Sequence, residues 1–267
     1  MKRIILLMAL AIMAVGCSSD KVAVIAHRGF WKCEEAGFSE NSIASLRCAQ
    51  EAGLWGSEFD VQLTADSVVI VNHNDNIIAP DSTVLKISEH NFAEFADCLL
   101  PNGERRPTLD EYLAQGAECP STKLIIELKK QESEAREDLL LDKTFETLKK
   151  CGMYDPDKVI FISFSLHITE RVAEEAPGFT NQYLEHDKTP QMLSAMNING
   201  MDYNYKVYQN FPDWVKEARG LGLSTNTWTV NTEEVAREMI DCGVQALTTN
   251  EPLMIRSLLG SRELRNK

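Results

Sequence analysis

The chain has 267 residues, of which 44% are hydrophobic and 25% are charged, an ordinary balance for a folded protein with a buried core. Its 40 acidic residues outnumber its 27 basic residues, and the formal net charge is −13 at pH 7. This acidity disfavours non-specific nucleic-acid binding, because neutralising phosphates requires basic surface. An anionic ligand would therefore need a local positive centre, such as a metal ion or a few well-placed Lys and Arg side chains.

The first 21 residues carry the pattern of an export signal. Lys2 and Arg3 precede a 13-residue apolar run that ends just before Cys17. That run is too short to span a bilayer and has the length of a signal-peptide core. Because the small residues before Cys17 resemble a bacterial lipoprotein processing site, we predict a signal peptide at 1–16, a lipid on Cys17 and a tether at 17–21. The protein would then be lipid-anchored to a bacterial membrane in the cell envelope, facing the periplasm or the surface. An ordinary secreted protein cleaved nearby is the alternative.

Six further cysteines follow the predicted signal, and their scattered positions fit no zinc-binding spacing. They are Cys33, Cys48, Cys98, Cys119, Cys151 and Cys242. An exported chain meets an oxidising environment, so a disulfide is one expectation, and buried free thiols are the other. The sequence alone assigns no pair.

Short β-branched runs alternate with amphipathic stretches over residues 22–260, which we predict to form a single domain. The predicted strands cover 22–26, 57–63, 123–129, 158–164, 180–184, 200–205, 223–230 and 244–250. Helical patterns separate most of them, at 39–53, 133–151, 166–176, 189–196, 211–220 and 232–242. Eight strand–helix units in about 250 residues are typical of an α/β TIM (β/α)8 barrel. A doubly wound open sheet is the competing fold, but no G-x-G-x-x-G turn follows the first strand.

The second predicted strand continues into a hairpin that gathers ionisable side chains. Glu58 and Asp60 alternate along this strand, so their side chains point to the same face. A turn at 65–67 would lead into a returning run at 68–72, which would bring His73 back toward the level of Glu58. In a TIM barrel such side chains meet at the C-terminal ends of the strands, where this fold carries its chemistry.

A third carboxylate, Glu127, lies at the end of the third predicted strand. Inward-facing charges are costly unless they are paired or bind a metal. Carboxylate oxygens of Glu58, Asp60 and Glu127 would suit a hard cation, Mg²⁺ or Ca²⁺. Salt bridges from Lys129 or Arg28 to one or more of these acids are the alternative.

The chain carries, in order, the motifs AHRGF, SENS, EFDVQLTADSVVIVNH, PTLDEYL, IIELK, FISF, WTVN and ALTTNEP. Taken together, these motifs resemble those of the glycerophosphodiester phosphodiesterase family, in its bacterial lipoprotein form. The resemblance runs from about Val24 to Pro252, nearly the whole predicted mature chain. The family fold is a TIM barrel with a small insertion after the second strand, which would comprise the hairpin and residues 74–120 here.

The resemblance implies the residues that react and the residues that bind metal. His27 and His73 match the two catalytic histidines of the family, and Glu58, Asp60 and Glu127 match its metal ligands. An imidazole suits proton transfer at neutral pH because its ordinary pKa is near 6.5. Neighbouring carboxylates would raise the pKa of one histidine and keep it protonated as the acid.

Further matches concern substrate binding. Arg28 and Lys129 match groups that bind the phosphate, and Trp228 matches an aromatic that lies against the alcohol part of the substrate. Glu40 and Asn41 match the Glu-Asn pair at the start of the first barrel helix.

The implied function is metal-dependent hydrolysis of a small-molecule glycerophosphodiester to glycerol 3-phosphate and an alcohol, through a cyclic phosphate. A lyase that stops at the cyclic phosphate is the first alternative. A lipid-anchored binding protein without turnover is the second, and the intact histidines and acids argue against it.

The chain departs from the family pattern at four places. Asn74 follows the second histidine where Asp is usual, and Ser39 replaces the common Pro before the Glu-Asn pair. Asn250 stands in place of the Asp of a Thr-Asp pair, and residues 30–38 lengthen the loop after the first histidine. These departures affect the rim of the pocket, so they bear on substrate choice. The longer loop either covers the alcohol pocket or only packs against the barrel.

Overall fold

The structure of the protein is a computed structural model that describes the backbone of residues 22–265 and the side chains of residues 22–261. The predicted signal peptide, the lipid on Cys17 and the tether lie outside the described residues. Within the described part of the chain, no helix is both long enough and apolar enough to cross a membrane.

The described residues form eleven strands, eight of which close into a barrel. The strands are β1 (Ala23–Ala26), β2 (Gly56–Leu63), β3 (Val69–Val71), β4 (Asn76–Ile78), β5 (Val84–Lys86), β6 (Lys123–Leu128), β7 (Val159–Ser163), β8 (Thr180–Tyr183), β9 (Gly200–Asn204), β10 (Ser224–Trp228) and β11 (Ala246–Thr249). Eight of them run parallel in the order β1-β11-β10-β9-β8-β7-β6-β2, and β1 also pairs with β2, so the sheet closes on itself. The predicted TIM barrel is confirmed, and each of the eight predicted strands overlaps an observed one.

Helices surround the barrel and connect its strands. They are α1 (Ile43–Glu51), α2 (Leu109–Glu118), α3 (Glu134–Lys150), α4 (Leu166–Glu175), α5 (Pro190–Ala195), α6 (Tyr205–Asn210), α7 (Asp213–Gly220), α8 (Glu233–Cys242) and α9 (Pro252–Arg265). The helix predicted at 39–53 begins only at Ile43, because the Ser42 side chain caps it there. The prediction omits α2, although Thr108 and Glu111 form a capping box, which is a sequence signal for a helix start.

The insertion after β2 begins with the predicted hairpin. β3 returns antiparallel to β2, with Val71 opposite Val61. β4 and β5 form a separate two-stranded sheet in which Ile78 lies opposite Val84. Ile70 of β3 packs in one apolar cluster with this small sheet and the short turns that follow it. The insertion is therefore attached to the barrel by backbone pairing and by apolar contacts.

The interior of the barrel combines an apolar cluster with polar side chains. The apolar cluster consists of Ile25, Ile125, Ile160, Ile162, Leu184 and Ala246. Full burial of a side chain such as Ile125 contributes about 1.5–3 kcal/mol relative to leaving it exposed. The outward-facing side chains of the strands pack beneath the helices in two larger clusters. Inward positions closer to the C-terminal ends of the strands carry the polar residues considered next.

Candidate active site

Three carboxylates converge at the C-terminal end of the barrel. Glu58 and Asp60 alternate along β2, and Asp60 lies directly opposite Glu127 on the neighbouring β6. Their relative exposures are only 2%, 1% and 9%. One oxygen of each carboxylate lies within 4.8 Å of the others. This span is comparable to twice a metal–oxygen bond length of about 2.1–2.5 Å.

The electrostatics of the three acids favour a bound cation. Burial, followed by the charges of Asp60 and Glu127, raises the pKa of Glu58 well above its ordinary value. Burial, followed by the charge of Asp60, raises the pKa of Glu127 to about 7. The Glu58 Oε1 and Asp60 Oδ1 atoms are buried and accept no hydrogen bond. Because a buried oxygen without a partner is costly and all three donors are oxygens, these residues fit a hard divalent cation.

The side chains of Lys129 and Arg28 lie beside the same acids, as the salt-bridge alternative predicts. The Lys129 ammonium lies 2.7 Å from Glu127 Oε1 and 3.4 Å from Asp60 Oδ1. The Arg28 guanidinium lies 3.7 Å from Asp60 Oδ2 and 2.9 Å from Glu40 Oε2. Four carboxylates then face two cations, which leaves two negative charges uncompensated when every group is ionised. The salt bridges therefore leave an excess negative charge equal in size to the charge of one divalent cation.

The turn after His27 is built around Gly29. Arg28 and Gly29 both have positive φ, at 57° and 81°. A Cβ at Gly29 would lie 2.2 Å from Ser45 Oγ, so only glycine fits this approach to α1. The turn directs the Arg28 backbone N–H to Glu58 Oε2 at 2.8 Å. The His-Arg-Gly motif thus positions a metal-ligand candidate with its backbone as well as a cation with its side chain.

Asn41 orients Asp60 from the opposite side. Its Nδ2 donates to Asp60 Oδ2 at 2.8 Å, and its Oδ1 accepts from the Asp60 backbone N–H at 3.2 Å. Asn41 has a φ of 55°, a left-handed conformation that asparagine tolerates better than most residues. The Glu-Asn pair of the sequence therefore supports the acids, with Glu40 on Arg28 and Asn41 on Asp60.

The first histidine, His27, extends β1 at the level of Glu58. β1 pairs with β2 through Ala26 and Ser57, so the next residues along the two strands are His27 and Glu58. The His27 backbone N–H donates to Thr249 O at 2.9 Å. His27 therefore lies beside the candidate metal ligands.

The His27 ring is held in one tautomer by Asn250. The His27 Nδ1 and Asn250 Oδ1 atoms are 2.8 Å apart, and the Trp31 indole N–H donates to the same oxygen at 3.3 Å. Since an indole can only donate, the shared atom is an acceptor, and Nδ1 carries the ring proton. Burial, followed by the charge of Arg28, lowers the pKa of His27 to about 4. The expectation that carboxylates raise a histidine pKa does not hold for His27, which is neutral at pH 7.

The segment that carries His73, the second histidine, lies along the same edge of β2 as the segment that carries His27, two residues further along the strand. Gly29 N donates to Glu58 O at 3.0 Å, and Asn72 N donates to Asp60 O at 3.0 Å. Carbonyls two residues apart in a strand point to the same edge, so the segments carrying the two histidines are successive neighbours along β2. The structure brings both segments to the rim that holds the three acids.

A half-exposed His73 lines a cleft of about 700 Å³. Its Nδ1 lies 2.8 Å from the side-chain oxygen of Asn74, so the departure from Asp at that position leaves the ring with a partner. The cleft lies between the insertion and the ends of β6 and β7. The other lining residues are Asn74, Asp75, Asn76, Ile78, Val84, Glu127, Lys129, Lys130 and Phe164.

A half-buried arginine that sequence reasoning missed, Arg106, holds the His73 segment in place. Arg106 Nε donates to Asn72 Oδ1 at 2.9 Å, and Arg106 Nη1 donates to Cys98 O. Asn72 in turn donates to Asn74 O at 2.6 Å. Arg106 follows His73 by 33 residues across an irregular insertion, and no periodic pattern in the sequence signals this contact.

Trp228 forms an aromatic wall on the other side of the barrel mouth. It packs edge-to-face on Phe164, with ring centroids 5.6 Å apart. Its indole N–H donates to Asp202 O at 2.9 Å, which fixes the ring plane. The structure thus places Trp228 at the barrel mouth with Phe164, a residue that also lines the cleft of His73.

Comparison with known proteins shows the family. The Glycerophosphoryl diester phosphodiesterase family matches residues 27–254 of this chain. A glycerophosphodiester phosphodiesterase of Caldanaerobacter subterraneus is 24% identical over 249 residues, which cover 90% of this chain and 98% of that protein. The chain therefore belongs to the glycerophosphoryl diester phosphodiesterase family, and its enzyme class is that of the phosphoric diester hydrolases.

Solved structures are similar over the same length. The crystal structure of a glycerophosphodiester phosphodiesterase from Parabacteroides distasonis has a TM-score of 0.86 and 37% identity, covering 91% of this chain and 99% of that one. A phosphodiesterase of Oleispira antarctica, solved in complex with the product sn-glycerol-3-phosphate, has a TM-score of 0.76 and 23% identity, covering 91% of this chain and 98% of that one.

Proposed function

We propose that this protein hydrolyses glycerophosphodiesters to glycerol 3-phosphate and a free alcohol, with Mg²⁺ or Ca²⁺ as cofactor. The observation that carries the proposal is the set of three buried, converging carboxylates, two of which have an oxygen without a hydrogen bond. The family and the names of the relatives supply the substrate class. The product bound to the Oleispira antarctica protein supports glycerol 3-phosphate as the product here.

Glu58, Asp60 and Glu127 would hold the metal ion. A bound divalent cation supplies Lewis-acid stabilisation of charge on the phosphate oxygens, which is greatest in the transition state. Arg28 and Lys129 border the acids and would contact the remaining phosphate oxygens. Their present partners are carboxylates, so part of their charge would become available for the phosphate if a bound cation compensated those acids.

His27 would act as the proton acceptor in the first half of the reaction. Its pKa is lowered to about 4, chiefly by burial, and its Nδ1 is engaged by Asn250, so Nε2 is the nitrogen that can accept a proton. The proton comes from the substrate hydroxyl next to the phosphoester. The freed oxygen forms a bond to phosphorus as the bond from phosphorus to the alcohol oxygen breaks. His73 would donate a proton to that leaving oxygen.

The second half reverses these roles and uses water. His73, now neutral, would accept a proton from water as the water oxygen bonds to phosphorus. The ring bond of the cyclic phosphate breaks, and His27 returns its proton to the released hydroxyl. Both histidines end in their starting states, as a catalytic cycle requires.

The cleft beside His73 would receive the alcohol part of the substrate. Phe164 lines this cleft and packs against Trp228, while Ile78 and Val84 give it an apolar wall on the insertion. Such a pocket suits a small alcohol with apolar carbons.

A coupled assay that detects glycerol 3-phosphate, run over a panel of head groups with added Mg²⁺ or Ca²⁺, tests the proposed reaction. We expect metal-dependent release of alcohol and glycerol 3-phosphate in equal amounts. Phosphorus NMR of the same mixtures distinguishes hydrolysis from a lyase, for which a cyclic phosphate would persist. Substrate binding without any alcohol release would contradict the proposal and favour a binding protein.

We further propose that the mature protein is anchored to a bacterial envelope membrane through a lipid on Cys17. The support is the sequence pattern of a short apolar run followed by small residues and a cysteine. Metabolic labelling with a palmitate analogue should mark the wild-type protein and leave Cys17→Ser unlabelled. Label retained on the Cys17→Ser variant would contradict the anchor.

A further inference from the structure

The loop at 30–38 is packed onto α1. Phe30 N donates to Ser45 O at 2.9 Å, and the Cys33 thiol donates to Phe30 O at 3.2 Å. Buried Ala36, Ala44 and Cys48 form one small apolar cluster, against which Phe30 and Cys33 pack. The loop therefore has an apolar underside that faces the middle of α1.

Two thiols meet inside this contact. Cys33 and Cys48 are both free thiols in this structure, and Cys33 packs against the small apolar cluster that contains Cys48. Burial, followed by the neighbouring Cys33, raises the pKa of Cys48 to about 12. Cys33 is half-exposed and Cys48 is buried, so an oxidant in solution can reach Cys33 first.

The same loop reaches the candidate active site from its other side. Trp31 donates to the Asn250 oxygen that also engages the His27 ring. The neighbouring Lys32 pairs with Glu251. The loop thus connects the cluster on α1 with the group that fixes the tautomer of His27.

We propose that Cys33 and Cys48 form a reversible disulfide that fastens loop 30–38 to α1 and so keeps Trp31 on Asn250. The oxidant is a small-molecule disulfide, such as oxidised glutathione, that oxidises pairs of thiols by exchange. The Cys33 thiolate attacks that disulfide and releases one thiol. The Cys48 sulfur then displaces the second thiol from Cys33 as its own proton leaves. One S–S bond forms between the two cysteines, and two electrons and two protons go to the oxidant.

The test compares the oxidised and reduced wild-type chain, so it does not depend on a variant that folds. After oxidised glutathione, peptide mapping should join the Cys33 and Cys48 peptides, and both should alkylate after reduction. Closing a loop of about 16 residues should raise the Tm by roughly 5–10 °C. Trypsin cleavage after Lys32 should slow by about tenfold or more.

Matched variants separate this pair from the other cysteines. Cys33→Ser and Cys48→Ala should each abolish the oxidation-dependent changes in Tm and cleavage. Cys119→Ser, which removes a half-exposed thiol beside Ser121, should keep them. Alkylation of both thiols in fully oxidised protein, or a mapped bond from either one to another cysteine, would overturn the proposal. An unchanged rate of cleavage after Lys32 would overturn the fastening of the loop.

Discussion

Two sides of the barrel mouth each bury a carboxylate, but only one side has the surroundings of a metal site. On β2, Asp60 lies with two other acids and beside two cations. On β9, Asp202 is equally buried, one of its oxygens also lacks a hydrogen bond, and burial raises its pKa to about 8. Its partner is the neutral amide of Asn226 at 3.0 Å. Burial is thus the largest cause of the raised carboxyl pKa values on both sides, and converging oxygens distinguish the side suited to a divalent ion.

The sharpest test of this comparison makes the same substitution on both sides. Asp60→Asn should lower kcat/KM by about three orders of magnitude, because the metal loses a charged ligand and the charge stabilisation that it supplies. Asp202→Asn should stay within about threefold of wild type, because no substrate or metal contact is lost. Isothermal titration with Mg²⁺ or Ca²⁺ should show loss of metal binding only for Asp60→Asn. Equal metal binding by both variants would break the comparison.

Substitution of His27 or His73, the two histidines at the rim that holds the three acids, should have the next largest effects on activity. His27→Ala and His73→Ala should each lose about two orders of magnitude in kcat, as is typical of acid–base residues. A substrate with a p-nitrophenol leaving group should restore much of the rate of p-nitrophenol release to His73→Ala, since that leaving group needs no proton. The same substrate should not rescue His27→Ala.

A matched control for the histidines is available on α4. His167 binds Asp138 at 2.7 Å on the outside of the barrel. His167→Ala should keep kcat within about twofold. Equal rescue of His27→Ala and His73→Ala by the p-nitrophenyl substrate would contradict the assigned proton roles.

Metal affinity should fall as the pH is lowered through the range set by the acids. The pKa of Glu127 is raised to about 7 and that of Glu58 is raised well above its ordinary value, so both hold protons that a metal ion must displace. The apparent affinity should therefore drop by about tenfold or more per pH unit below 7. Titration calorimetry at pH 5.5, 6.5 and 7.5, in buffers of different ionisation enthalpy, measures both the affinity and the released protons. An affinity independent of pH would contradict this expectation.

The titration of Asp202 should affect how the stability of the protein depends on pH. The pKa of Asp202 is about 8 in the folded protein and near 3.8 when the residue is exposed, so folding favours the protonated form. Its contribution is fully present below pH 3.8 and is lost as the pH rises toward 8. Asp202→Asn should therefore flatten the Tm profile between pH 4 and 8, by a few degrees, in scanning calorimetry. A variant whose profile matches wild type would show that Asp202 does not titrate in this range.

The sequence predicts the barrel well because its strands are local patterns repeated eight times. The alternation at Glu58 and Asp60, and the short turn before His73, are also local, so the hairpin could be expected. The bond from His27 to Asn250 joins residues 223 positions apart, and it exists only once β1 pairs with β11. Arg106 escapes prediction for the same reason, since its partners are set by the packing of an irregular insertion.

The proximity of Cys33 and Cys48 illustrates a second limit. Their spacing in the sequence matches no pattern, and only the packing of a long loop on α1 brings them together. The lowered pKa of His27 is likewise a property of the folded site. Burial and Arg28 outweigh the nearby acids there, and residue types alone do not decide that balance.

β2 is the longest strand of the barrel, and its two ends pair with different strands. The first residues, from Gly56, pair with β1 and β6 and close the ring, while Val61 to Leu63 extend past β1 and pair with β3. An insertion attached to this overhang can vary in length or sequence without reopening the cylinder. On the proposed function, a changed insertion would alter the preference for the departing alcohol, while the barrel that carries the three acids stays unchanged.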